Sequence, residues 1–383
     1  MIQAIAVLTP IYITGFWSIV FLNSSIKNNK AKYFLGFFML VAFALYLGHS
    51  LFFLGHFDIY LFYDPVYICS SLLVYPMYYQ YVRLLTTDRH FDVKYLYHYI
   101  PAIILGLIAL ILHISADIGH SEAIREYFRN SYKIPHDNND PFFINQVIYI
   151  IQRLVFAGQV IFYFIAGIRL IQKYKLQILN FYSNNEFRDI NWVYYIFISL
   201  VFTAILSSIF NVIGKFSLYN QEWGLLISSL LISSMLFVLG FLANEQNPVV
   251  QDLERKDREV VAEVTEEELP QGDFKKKIEK LFGEDKVYLN PDLNIWEVAS
   301  LLGTNRTYLS GFINKTYCVN FSAFVNRYRV EEAKIVLAKE EMDKYSLEVI
   351  GEKCGFGSYN NFIRVFREFE QMTPGRFRTQ IKS

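Results

Sequence analysis

Seven runs of predominantly apolar residues dominate the first two thirds of the chain, at approximately 2–22, 33–54, 60–82, 95–115, 145–168, 191–213 and 223–243. A run of roughly 20 apolar residues matches the thickness of a bilayer's hydrocarbon core, about 30 Å. Backbone groups in hydrocarbon must pair within their own segment, which restricts such runs to helices. Composition points the same way: 53% of residues are hydrophobic and only 19% are charged, against roughly 25% charged in soluble domains. The first run has no basic n-region and no small-residue cleavage site after it, so it reads as a true span and not a removable signal.

The chain's 36 basic and 36 acidic side chains cancel, but they are unevenly spread. Residues 1–244 hold 15 basic and 12 acidic side chains (+3), residues 245–272 hold 3 and 9 (−6), and residues 273–383 hold 18 and 15 (+3). The sequence therefore divides into a seven-span domain (1–244), a charged linker helix (245–272) and a third domain (273–383). The loops after spans one, three and five carry ten Lys and Arg residues, among them Lys27, Arg83, Lys94, Arg169 and Lys173. Those after spans two, four and six carry four: Arg125, Arg129, Lys133 and Lys215. Because basic loops resist translocation, the N-terminus is expected outside and the third domain in the cytoplasm. Tyr and Phe gather at span ends, as in Tyr75, Tyr78 and Tyr79, where they serve as interfacial anchors.

Ionisable residues within spans are costly and tend to face a bundle interior or a water-filled cavity. His49, Asp64 and Arg153 all fall toward the outer side, while Asn211 and Glu222 mark outer span ends. They are expected to line a polar, outward-open pocket for an extracytoplasmic ligand, with Arg153 and either Asp64 or His49 binding it. The alternative is that these groups snorkel to the interface or pair for structure. The three cysteines, Cys69, Cys318 and Cys354, are too far apart for a disulfide framework or a CxxC metal pair, and no metal or cofactor is expected. In the linker, Val250, Leu253, Val260 and Val264 have a/d-like spacing interrupted by Asp257 and Glu267. The linker reads as a solvated signalling helix, with a short parallel coiled coil holding a homodimer as the alternative.

The third domain carries an internal repeat. After a lead-in helix near Phe274–Phe282 comes NIWEVASLLGTNRTYLSGFINK (294–315). Asn294 with Glu297 three residues on suits a capping box, Ile295, Val298, Ala299 and Leu302 form the apolar stripe, and Gly303 suits a left-handed terminator. A second helix from about Asn305 buries Leu309, Phe312 and Ile313. The layout returns in SLEVIGEKCGFGSYNNFIRVFRE (346–368), offset by 52 before the turn and 53 after it. A helix over about 322–338 joins the copies. At 1.5 Å per residue it spans about 26 Å, of the order of the ~34 Å between successive major grooves on one face of DNA.

NIWEVASLLG, RTYLSGFINK, NFSAFVNRYRVEEAKIVL and above all CGFGSYNNFIRVFREFEQMTPGRFR resemble the DNA-binding domain of AraC/XylS-type transcription regulators, over about the last 111 residues. The resemblance implies a double helix-turn-helix domain binding promoter DNA; joined to the spans and loop charges read above, it gives an expected all-α chain, a seven-transmembrane helix bundle followed by a cytoplasmic double helix-turn-helix domain. Carried over by position, Asn305, Arg306, Thr307 and Ser310 lie on the exposed face of the first recognition helix, and Ser358, Tyr359, Asn360 and Arg364 on that of the second. Arg364 suits guanine and Asn360 adenine, while Ser358 and Arg367 suit phosphates. Thr373 and Pro374 suit the cap and first turn of a closing helix. Three positions depart from the pattern: Gly311 replaces a polar reader, Gly351 an Ala, and Cys318 a Gly. Cys354 reads as a buried core thiol.

The expected function is that of a membrane-bound one-component regulator in the bacterial cytoplasmic membrane, with promoter DNA, the bilayer and an outer ligand as partners. A transporter or channel with a regulatory C-terminal module is the alternative. An enzyme is not expected, because HExxH, P-loop and GxSxG patterns are missing from the sequence.

Overall fold

A computed structural model describes residues 2–24, 30–87, 93–115, 143–184, 222–245 and 271–382, with eight isolated positions between 126 and 205. The chain groups into two compact units, one formed by Met1–Ile171 and Asn191–Val250 and the other by Gln172–Ile190 and Gln251–Ser383.

The first unit contains α1 (Ile2–Leu22), α2 (Lys30–Phe53), α3 (Phe57–Thr87), α4 (Ile100–Ser115, entered through a 3-10 stretch, Val93–Tyr99), most of α5 (Phe143–Phe181) and α6 (Glu222–Glu245). Six described helices are long and apolar enough to cross a membrane. Apart from isolated positions, the expected span at 191–213, with Asn211, lies outside the described residues, as do linker residues 246–270. Within the unit α1 packs on α2 and α6, α2 on α3, and α3 on α4. The shared core is aromatic: the Phe52 ring meets Tyr60 edge-on at 5.3 Å and Phe57 at 5.5 Å, beside Leu72, Ala102 and Tyr149.

The outer faces are apolar as well. Phe62 is 78% exposed, Ile114 76% and Leu154 68%. A bundle folded in water turns such side chains inward and clothes itself in charge; this one is hydrophobic inside and out. Lys32 at the start of α2 donates from Nζ to the Asn244 carbonyl near the end of α6, 2.7 Å away, a cation placed at a helix C-terminus. This puts the two ends on one side of the unit.

The second unit contains α7 (Gln271–Gly283), α8 (Ile295–Leu301), α9 (Arg306–Tyr317), α10 (Phe321–Ala338), α11 (Leu347–Lys353), α12 (Tyr359–Glu370) and α13 (Pro374–Lys382). Six of these helices begin on a side chain that accepts from the backbone N–H three residues on: Asn294 from Glu297, Asn305 from Tyr308, Asn320 from Ala323, Ser346 from Val349, Ser358 from Asn361 and, as expected, Thr373 from Arg376. Each cap satisfies an amide that the helix start would otherwise leave orphaned. α10 runs between the two repeats and packs against α9, α11, α12 and α13. Its Val330, Ala333 and Leu337 meet Ile350, Cys354, Phe356, Phe362 and Phe366 in the second repeat's core. Cys354 is fully buried, and burial pushes its thiol up to about 12, which leaves it protonated and inert as expected of a core residue.

Cys318 ends α9 at φ 57°, the left-handed conformation in which a Cβ is strained and Gly is favoured. Cys318→Gly is therefore expected to raise the melting stability of the C-terminal unit by about 0.5–1 kcal/mol, the relieved strain exceeding the added unfolded-state freedom. A lower melting temperature for this variant would contradict that reading.

Candidate nucleic-acid interface

In each repeat a short helix, a glycine turn and a longer capped helix are welded together by local chemistry. The Asn294 Oδ1 accepts from the Glu297 amide at 3.1 Å, and its Nδ2 donates to the Glu297 carboxylate at 2.6 Å, so the expected capping box closes between side chains. Gly303 and Gly355 hold the two turns at φ +66° and +84°. At Gly351, where an Ala is the usual occupant, an added Cβ would lie 2.9 Å from the Phe362 ring. The missing methyl is the space into which that ring packs.

On α12, Phe362, Val365 and Phe366 are buried while Tyr359, Asn360, Arg364 and Arg367 are exposed. The neighbour of Asn360, Asn361, is itself buried. The Arg364 guanidinium is held by the Asn361 Oδ1, 2.8 Å from Nη2, and lies 3.7 Å from the Glu368 carboxylate. On α9, Thr307 is exposed and Ser310 half-buried. Arg306 is half-buried, its guanidinium carbon 4.6 Å from the centroid of the Phe181 ring. Asn305 and Ser358 use their side-chain oxygens as caps.

Sequence reasoning missed two participants in this unit. Arg329, on α10, is fully buried and donates from Nε to the Tyr288 carbonyl (2.7 Å) and from Nη2 to the Asn290 carbonyl (2.7 Å) and the Ser183 hydroxyl (3.0 Å). The second is the stretch reaching Asn184. α5 does not stop near 168 but continues to Phe181, and its residues from Gln172 onward belong to the C-terminal unit.

Of the residues expected to line a ligand pocket in the first unit, Asp64 is fully buried and meets two partners that were not anticipated. Tyr149 donates its hydroxyl to Asp64 Oδ2, and the His113 Nε2 lies 3.4 Å from the same oxygen. His49 is half-buried, with its Nδ1 3.2 Å from the Leu45 carbonyl and its ring edge-on to Tyr67 at 5.2 Å. Arg153 is half-buried on α5, four residues beyond Tyr149.

Residues 298–380 match the family described as a helix-turn-helix domain. The C-terminal domain is thus a double helix-turn-helix module. Over these residues it is similar to the DNA-binding domains of AraC-type transcription regulators. The transcriptional regulator YtdP of Bacillus subtilis is 37% identical over 92 residues, covering 24% of this chain and 12% of that protein. The regulatory protein PocR of Salmonella typhimurium is 31% identical over 105 residues, covering 27% of this chain and 34% of that protein. The likeness is thus confined to a minor share of each relative's length, and both relatives are named as regulators, not enzymes. No solved structure matches the chain.

Proposed function

We propose that the chain is a membrane-anchored one-component transcription regulator that binds promoter DNA through its two helix-turn-helix units under the control of a stimulus sensed by the apolar helices. The observation that carries this reading is α12, which buries one face in a core and offers Asn360, Arg364 and Arg367 on the other. Such a helix suits the major groove, where Arg can pair with guanine and Asn with adenine. The outward Phe62, Ile114 and Leu154 support placement in lipid, with the C-terminal unit on the cytoplasmic side as the loop charges imply. The Asp64, His113 and Tyr149 cluster supports a polar sensing site among the helices, because buried ionisable groups at membrane depth are costly to keep. An extracytoplasmic ligand would act by binding two arrangements of the bundle unequally, and pairing of two copies would raise affinity through avidity.

Mapping chromosomal sites occupied by the intact protein, beside a form lacking the spans, tests the assignment. Arg364→Ala is expected to cost about 1–3 kcal/mol of operator affinity and to relax the preference at one base pair. Occupancy unchanged by Arg364→Ala would remove it from the reading face. A transporter would move solute with that variant in place and occupy no promoter.

A further inference from the structure

The end of α5 makes contacts with the C-terminal domain that no membrane span needs. Phe181 stacks on Trp296 of α8 at 5.2 Å and lies against the Arg306 guanidinium at 4.6 Å. Tyr182 forms a single antiparallel bridge with Asn294 and meets Trp296 edge-on. Ser183 is almost wholly used: its N–H and hydroxyl donate to the Leu293 carbonyl (3.2 and 2.7 Å), its hydroxyl accepts from Arg329 (3.0 Å), and its carbonyl accepts from Ser322 (3.3 Å). The Asn184 Oδ1 accepts from the Asn361 Nδ2 on α12 at 3.2 Å. Tyr182, Ser183 and Asn184 are all at most 5% exposed.

Four residues thus touch the first repeat, the joining helix and the second repeat, all within one compact unit. The contact is specific, since a polar residue such as Ser183 is buried without cost only where its groups find partners. It also occupies two positions that matter for DNA. Phe181 holds the cation of Arg306 at the start of the first recognition helix, and Asn184 holds Asn361, the residue that in turn grips Arg364.

We propose that residues 181–184 form an intramolecular strap that restrains both recognition helices, so that release of the strap, driven through the continuous helix α5, frees Arg306 for phosphate contact and raises DNA affinity. This rests on the DNA-binding reading above and adds a restraint to it. Release needs no new chemistry: a guanidinium shared between an aromatic face and a phosphate goes to whichever is offered at lower cost, and α5 is the element that ties the strap to the apolar bundle.

The test uses the full chain in lipid nanodiscs and a fluorescent duplex of mixed sequence, titrated by anisotropy over a range of salt. Phe181→Ala is expected to tighten binding by about fivefold, the factor by which one cation–π contact holds the restrained state. It should also steepen the dependence of log affinity on log salt by about 0.9, the signature of one further neutralised phosphate. Gly357→Ala should act in the same direction from the other side, because an added Cβ there falls 1.8 Å from the Asn184 Nδ2 and evicts that side chain. Adding Arg306→Gln to Phe181→Ala should return the salt slope to its starting value. Wild type that binds duplex, with both single variants unchanged or weaker and native hydrogen-exchange protection in α9 and α12, would overturn the strap while leaving DNA binding intact. Failure of every form to bind duplex would overturn the DNA-binding reading and the strap with it. Binding by Phe181→Ala where wild type shows none would support both.

Discussion

Gly355→Ala is expected to unfold the second helix-turn-helix at temperatures the native protein tolerates, with a loss of about 3 kcal/mol or more. Two independent penalties coincide at this position. Its φ of +84° lies where an L side chain is strained, and an added Cβ would sit 2.4 Å from the Tyr288 carbonyl oxygen and 2.9 Å from the backbone of Leu289. A Cβ pressed on a flexible side-chain tip can be accommodated; here the opposing atoms are main chain. That main chain is not free to retreat, since the Tyr288 and Asn290 carbonyls are both pinned by Arg329. Strain at a positive-φ Gly and overpacking each belong to the few mechanisms that give large single-site losses. For a unit of this size about 3 kcal/mol corresponds to a fall in melting temperature of about 6–12 °C. Hydrogen exchange on the full chain reads it directly: α11 and α12 should lose protection first, while α1 to α3 are untouched. A variant melting within about 2 °C of wild type would mean that the turn relaxes in a way the geometry does not suggest.

What could be read from the residues and what could not divides by sequence distance. The cap at Asn294, the turn glycines at 303 and 355 and the stripe of Ile295, Val298 and Leu302 are all settled within one or two helical turns, so they are legible. The apolar spans are legible because length against bilayer thickness is a local property too. The continuation of α5 is a different matter. RLIQKYKLQILNF (169–181) has charges that end an apolar run and read as a loop, yet Leu, Gln, Lys and Ile are good or tolerable helix formers and the helix runs on. Membrane propensity stops there; helix propensity does not. Arg329 was illegible for a plainer reason. In NRYRVEEAK it looks like one more charge on a solvated face, and its burial depends on carbonyls 41 and 39 residues away and on a hydroxyl 146 residues away. The partners of Asp64 are likewise set by the packing of α3 against α4 and α5, which no single segment encodes.

That same Arg329 gives the second large effect. Arg329→Met is expected to destabilise the C-terminal unit by about 2–4 kcal/mol, although Met fills much of the same volume. Burial lowers the guanidinium's pKa to about 10, against the opposing pull of Asp292, so the group stays charged near neutrality and its desolvation is a real cost. Against that cost stand two charge-assisted hydrogen bonds to carbonyls, at 2.7 Å each, and one to Ser183. Met removes the desolvation but strands the buried Tyr288 carbonyl, at about 1–3 kcal/mol, and takes the charged donor from the Asn290 carbonyl, which still accepts from the Leu293 N–H. Replacing a buried ion pair on both sides can be neutral; here the acceptors are main-chain oxygens and cannot be deleted with the donor. Arg329→Lys keeps the charge but replaces a planar fork by a single ammonium, which cannot reproduce the paired geometry, and should fall between wild type and Met. Ser183→Ala, which removes one of the three acceptors, should cost about 1 kcal/mol and so separates the strap's share from the hub's. If Arg329→Met melted as high as wild type, the guanidinium's desolvation would equal everything it binds, and its retention would have to be sought in the strap and not in the stability of the fold.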